Sequence, residues 1–286
     1  MFFYQVGPLK VKITLENSLS KLEEELKEYY RHALIDDNKF DHHCHIASWS
    51  EGQYKSPNKD IIKWENRKVE VSSERNIKID CMWDKNLNSI INVYEGFDHL
   101  FDHDRKKYWE FSQRISLYPV LAKKRGFMIH CAAIIVNNKA HIFMGPSGAG
   151  KSTTAHKAIM GGYKVLTDDT AIITKENDKL MTYSSPYTSK SGLIGERGKY
   201  EIDKFYILSQ SNEDTLAEVD KGTFIKCLQE RIYESQYWSH IFHFNSNSLS
   251  GEIGNHLLKN AFYIVKKYKA YEYRFTLKSS INNIFQ

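Results

Sequence analysis

The chain has 286 residues, 41% of them hydrophobic, which is enough for one large core or two modest ones. A net charge of +5 with 26% charged residues sets up no broad field for polyanions, so nucleic acid is not expected as a partner. Four scattered cysteines (Cys44, Cys81, Cys131, Cys227), no secretory leader and no apolar run near the ~18 residues of a spanning helix lead to the expectation of a cytoplasmic protein with neither disulfides nor membrane contact.

In chain order, Phe2 to Val6 and Leu9 to Leu15 read as strands. Asn17/Ser18 then cap a helix with Leu19, Leu22, Leu26 and Tyr29/Tyr30 on one face. Asp41-His42-His43-Cys44 spells the D-H-H-C of membrane palmitoyltransferases, but the chain lacks their membrane spans and cysteine-rich zinc region. With His45 it makes a poor zinc site as well, because no second ligand pair stands at usable spacing, so a polar loop or strand entry is expected. Lys68 to Ser72 and Asn76 to Cys81 alternate around Ser-Ser-Glu-Arg as a hairpin, and Ser89 to Tyr94 adds a strand. Asp104 to Lys124 is the longest helical stretch, which Pro119 is expected to bend or end. These elements predict a smaller mixed α+β region over 1–115, with a boundary somewhere in 100–127 and a second domain over 116–286.

Phe127 to Val136 is one strongly apolar strand, and Asn137-Asn138 supplies a turn into a second buried strand, Ala140 to Met144. That strand runs into Gly145-Pro146-Ser147-Gly148-Ala149-Gly150-Lys151-Ser152, the phosphate-binding pattern G-x-x-x-x-G-K-[ST]. Its glycines let the backbone aim successive N–H groups at phosphate oxygens. Lys151 reaches the β/γ-phosphates, and the Ser152 hydroxyl ligates Mg²⁺, with Thr153 completing the nucleotide-binding stretch. A helix from Ser152 to Met160 leaves the loop and stops at Gly161-Gly162. ATP and Mg²⁺ are therefore the expected cofactors. Lys164 to Thr167 follows as a strand, read as parallel, and ends on Asp168-Asp169, seventeen residues after Ser152 at the second aspartate. Paired carboxylates there suit phosphoryl transfer, one anchoring the magnesium shell and the other taking a proton from an incoming hydroxyl. Ala171 to Thr174 is another short strand. Ser184 to Tyr200 is a polar, glycine-containing loop of the kind that serves as a lid or acceptor-docking segment, and Tyr271 to Leu277 alternates as a half-buried strand. His130 and Cys131, taken alone on an apolar strand, read as core residues, as does His141.

The strings Met128 to Val136, Gly145 to Ser152 and Gly162-Tyr-Lys-Val-Leu-Thr-Asp168-Asp169 resemble the HPr kinase/phosphorylase family and its kinase-only relatives, which share a core with phosphoenolpyruvate carboxykinases. The resemblance implies an α/β P-loop kinase core of that type. It places His130 in the active site, makes Asp169 the general base on a serine hydroxyl, and gives Asp168 to the metal. Glu196, ahead of Arg197-Gly198, falls near the family's magnesium-binding glutamate, and Arg197 and Arg231 are the candidates for its later catalytic arginine. The N-terminal region is unlike the bifunctional enzyme's own, so the nearer likeness is to stand-alone relatives, including those that phosphorylate serine on lasso-peptide precursors. The acceptor implied is a peptide or small protein, and a homo-oligomer is compatible with the sequence. Two other readings stay open: a small-metabolite kinase of the shikimate-kinase type, and a regulatory module that binds nucleotide and transfers nothing.

Overall fold

The computed structural model describes residues 1–49, 61–72, 78–94, 103–187, 192–234 and 249–285. It is a mixed α/β protein with two sheets, and the chain divides into two compact units, Met1–Lys123 with Trp238–Gly254, and Lys124–Tyr237 with Asn255–Gln286. The division falls after the long helix, between Lys123 and Lys124.

The first unit holds β1 (Phe2–Val6), β2 (Leu9–Leu15), α1 (Ser20–Tyr29), β3 (His42–Trp49), β4 (Ile61–Glu65), β5 (Lys68–Ser72), β6 (Lys78–Trp83), β7 (Ser89–Tyr94) and α2 (His103–Lys123). Its seven strands lie in the order β1-β2-β3-β7-β6-β5-β4. The pairings β2–β3 and β3–β7 are parallel, and the others are antiparallel. The hairpin between β5 and β6 forms as its alternation requires, although the intervening residues 73–77 lie outside the described residues. Pro119 does not end α2, which runs on to Lys123. Tyr108 to Leu121 are all buried, so packing along this stretch compensates for the hydrogen bond that proline removes. Polar bonds tie α2 to the sheet: Tyr4 Oη donates to Gln113 Oε1 at 2.9 Å, and Trp83 Nε1 donates to the Ser116 carbonyl at 2.9 Å.

The second unit contains β8 (Gly126–His130), β9 (Ala132–Val136), β10 (Lys139–Met144), α3 (Lys151–Met160), β11 (Lys164–Thr167), β12 (Thr170–Glu176), β13 (Lys179–Tyr183), β14 (Lys199–Gln210), β15 (Thr215–Glu218), α4 (Lys221–Glu234), β16 (Ala270–Phe275) and α6 (Asn282–Phe285), with α5 (Leu249–Lys267) shared across the division. Its strands run β11-β9-β10-β14-β13-β12-β8, with β16 against β14 and β15 against β16. The expected single strand 127–136 is two strands broken at Cys131. The first half pairs with β12 and the second with β10 and β11, near opposite ends of the order. Asn137 and Asn138 both take positive φ (49° and 62°), the conformation a tight turn between antiparallel strands demands. The last strand ends at Phe275, and Leu277 lies beyond it, 80% exposed.

β11 hydrogen-bonds antiparallel β9, not a parallel neighbour as expected. Since β10 is also antiparallel to β9, the C-terminal ends of β10 and β11 still open toward the same side. Two short crossings lie side by side there: Cys131 between β8 and β9, and Asp168-Asp169 between β11 and β12. The Cys131 N–H donates to the Asp169 carbonyl at 2.9 Å and joins them. The phosphate loop leaves the end of β10 at this same edge.

Candidate active site

The loop from Gly145 to Gly150 is shaped by backbone that side chains would obstruct. A Cβ on Gly145 would meet Ala149 Cβ at 2.7 Å, and Gly150, at φ 101°, has the Phe275 ring where its Cβ would go, 2.4 Å from Cζ. Gly148 also has positive φ (82°), with open space beside it. α3 starts with no side-chain cap on its first turn, so the N–H groups at its positive end have no side-chain acceptor. Gln210, at the end of β14, donates from Nε2 to the Gly148 carbonyl at 2.7 Å and braces the loop's apex.

Lys151 is 6% exposed and turns back onto the loop, donating to the carbonyls of Gly145 (2.8 Å) and Pro146 (3.1 Å). Burial holds its pKa below the ordinary lysine value, with the Arg231 charge adding to that and the carboxylates of Glu234 and Asp169 opposing it. A buried ammonium resting on carbonyls at the start of a helix, with Ser152 and Thr153 in the first turn, fits a triphosphate and its magnesium ion. An anion there would add to the negative charge that Glu234 and Asp169 already set against this ammonium.

Asp168 and Asp169 form the bend between β11 and β12. Asp168 is 3% exposed. The Asp169 backbone is pinned by Cys131 and by Thr167, whose Oγ1 accepts from the Asp169 N–H at 3.1 Å, while Asp169 Oδ2 accepts from Thr170 Oγ1 at 2.8 Å. Register puts His130 opposite Thr170, which brings His130 Nε2 to 3.8 Å from Asp169 Oδ1. On its other side His130 Nδ1 lies 3.0 Å from Glu234 Oε2. Lys151, His130 and Asp169 are therefore gathered at one edge of the sheet, with Asp168 beside them in the bend.

Glu196 is placed elsewhere. Its carboxylate is 52% exposed and pairs at 3.2 Å with Lys164, the first residue of β11, four and five residues before Asp168 and Asp169 and so about 13–17 Å along the chain from them. The expected lid is partly an edge cover: Glu196 N–H donates to the Val165 carbonyl at 2.9 Å, and Gly195 lies so close to β11 that a Cβ would sit 1.7 Å from the Leu166 carbonyl oxygen. Residues 188–191 of that loop lie outside the described residues. Of the two candidate arginines, Arg197 is exposed beside Glu196, whereas Arg231 is 7% exposed and donates from Nη1 to the Gly145 carbonyl at 2.8 Å.

Other reactive side chains serve the core. Cys131 is fully buried, and burial pushes its thiol up to about 12, far from a nucleophilic thiolate. His141 lies 3.1 Å from Tyr206 Oη, and burial drops its pKa to about 4. Strand alternation divides the D-H-H-C run. His42 and Cys44 face the core, with His42 Nε2 3.0 Å from Ser89 Oγ, while His43 and His45 share Thr14 Oγ1 on the other face. No group of three or more metal-ligating side chains occurs among the described residues, nor does any helix there long and apolar enough to cross a membrane.

No curated protein matches the chain. Among solved structures, the Hpr(Ser) kinase/phosphatase from Coxiella burnetii is similar at 14% identity and a TM-score of 0.28, over 32% of this chain and 70% of that one, too slight a likeness to carry an argument. The family model described as SynChlorMet cassette protein ScmC matches residues 104–285, more than half of the chain, and with it the phosphate loop, both aspartates and α4. This protein belongs to the ScmC family.

Proposed function

We propose that the chain is an ATP·Mg²⁺-dependent kinase built on a P-loop core of the HPr kinase type, transferring the γ-phosphate to a serine hydroxyl of a peptide or small protein. The observation that carries this reading is the meeting of Lys151, reached by the loop after β10, and Asp169, reached by the crossing from β11 to β12, at one end of the sheet. A module that only binds nucleotide has no use for a half-buried carboxylate and imidazole beside the phosphate lysine.

In this reading the loop amides and Lys151 hold the β- and γ-phosphates, and Lys151 exchanges its two carbonyl contacts for phosphate oxygens. Ser152 and Asp168 hold the magnesium ion, which when bound neutralises charge on the phosphates. Asp169 takes the proton from the acceptor hydroxyl as that oxygen bonds to phosphorus and the β–γ bridging oxygen leaves with ADP. His130 orients or stabilises the transferring group.

The test is transfer of labelled γ-phosphate from ATP·Mg²⁺ into a peptide and small-protein extract of the source cell, with Asp169→Asn alongside. The wild type is expected to yield labelled phosphoserine. Asp169→Asn should keep nucleotide affinity within about twofold while losing roughly 10²- to 10⁴-fold in transfer rate. Label appearing only in a metabolite would replace the peptide acceptor with a small molecule. Tight nucleotide binding with no transfer at all would leave a regulatory module.

A further inference from the structure

α4 carries a second set of charged groups that none of these roles uses. Phe224, Leu228 and Ile232 are buried along one stripe of the helix. One turn at its C-terminal end carries Arg231 and Glu234, three apart and therefore neighbours. Arg231 donates from Nη1 to the Gly145 carbonyl and to Glu234 Oε2, and from Nη2 to Glu230 at 3.3 Å. The same Glu234 oxygen faces His130 Nδ1 at 3.0 Å. A polar path thus runs from the first residue of the phosphate loop through Arg231 and Glu234 to His130, whose far nitrogen faces Asp169.

We infer that Glu234 is a positioning residue for phosphoryl transfer: it holds the His130 ring with its Nδ1 proton toward α4 and Nε2 toward Asp169, and holds Arg231 against the phosphate loop. An imidazole can present either nitrogen, and the partner of one decides what the other offers. A carboxylate on Nδ1 fixes that choice. The 3.8 Å from Nε2 to Asp169 Oδ1 exceeds hydrogen-bond range, so the two groups flank a common place instead of satisfying each other. Arg231 gives the same carboxylate a hold on the donor side, so one helix turn sets the spacing between phosphate cradle and base. The kinetic part of this inference rests on the kinase reading above.

The experiment reads the His130 ring nitrogens by ¹⁵N NMR in the full chain without nucleotide, in wild type and Glu234→Gln, beside steady-state transfer. The wild type should carry a proton on Nδ1. In Glu234→Gln, with its fold confirmed by circular dichroism, that preference should be lost, and kcat should fall about 10- to 100-fold with the KM for ATP within twofold. A wild-type ring protonated only on Nε2 overturns the inference, and that spectrum needs no variant to fold. An unchanged ring signature in a folded Glu234→Gln overturns it too, as does a variant that loses ATP affinity and kcat in equal measure, which is what mere loss of a counter-ion for buried Arg231 would give. If the wild type transfers no phosphate while its ring signature depends on Glu234, the kinase reading fails and the positioning of His130 stands.

Discussion

The two units treat a histidine on a buried strand in different ways. His42, in the first, is fully buried and meets a neutral hydroxyl, and burial drops its pKa to about 4. His130, in the second, keeps 21% of its side chain exposed and stands between two carboxylates. The surrounding charges differ in the same sense. In the first unit the ion pairs with a buried member, Lys68–Asp80 and Arg114–Glu110, take tyrosine hydroxyls as further partners, Tyr94 on Asp80 and Tyr29 on Glu110, whereas Lys151, Arg231, Glu234 and Asp169 converge where two strand crossings meet the phosphate loop. Gathering charge in partial burial costs desolvation energy that isolated surface groups avoid. Here the convergence marks the candidate site, while the more eye-catching histidine motif is split by strand alternation between the core and the opposite face.

The contrast is sharpest in acid, where the largest effect is expected. His42 and His141, one in each unit, have folded-state values near 4 against an ordinary 6.5. Each contributes stability that is fully present above about pH 6.5 and declines as pH falls toward 4, because only the unfolded chain takes up the proton. A depression of that size corresponds to about 3 kcal/mol per histidine. Denaturant unfolding across pH 7.5 to 4 should show this loss, and His42→Gln should lower the slope by about 1.4 kcal/mol per pH unit, one proton's worth. An unchanged slope would mean that His42 is not held neutral, and the distinction between the two histidines would collapse.

A smaller effect separates the phosphate loop from ordinary turns. Gly150→Ala imposes both a positive φ on alanine and a collision with the Phe275 ring, while Gly148→Ala and Gly162→Ala, each at φ 82°, impose only the first. The backbone strain alone is about 1–2 kcal/mol. Titration calorimetry with ATP·Mg²⁺ should show Gly150→Ala weakening nucleotide by well over tenfold and Gly148→Ala by less. Gly162→Ala should lower the melting temperature and leave affinity alone. Equal losses for Gly148 and Gly150 would mean that Phe275 is no wall to the loop.

Local chemistry made parts of this structure readable. The phosphate loop, its helix, the paired aspartates and the Asn137-Asn138 turn each depend on a few adjacent residues whose types have a direct backbone consequence. The break at Cys131 gave no such signal: Phe127 to Val136 carries apolar residues on both sides of it, so no alternation changes where the strand changes partners. Asn177-Asp178, both at positive φ, form a second tight turn (β12–β13) with the same kind of signature as Asn137-Asn138. Glu234 was invisible for a different reason. Its place beside His130 comes from α4 lying along β8, a contact between residues over a hundred positions apart. The available hint was the stripe Phe224, Leu228, Ile232, which makes α4 a packed helix and puts Arg231 and Glu234 on adjoining positions.

Glu196 gives the smallest expected effect and the cleanest check on where the site ends. The sequence resemblance to HPr kinases would put it on magnesium, while geometry puts it on Lys164, in a pair whose side chains are 52% and 60% exposed. Exposed pairs of this kind contribute little, since solvent screens them and two long side chains must be held still. Glu196→Ala should therefore leave the melting temperature unchanged within error and the magnesium dependence of transfer where it was, in contrast to Asp168→Asn, which should shift that dependence to much higher magnesium. The two variants differ in one respect that matters: Asp168 lies in the crossing that meets the phosphate loop, and Glu196 at the opposite end of the same strand. A magnesium requirement that rises in Glu196→Ala would mean that the 192–198 segment leaves β11 when nucleotide binds, despite the backbone contact that Gly195 makes with Leu166.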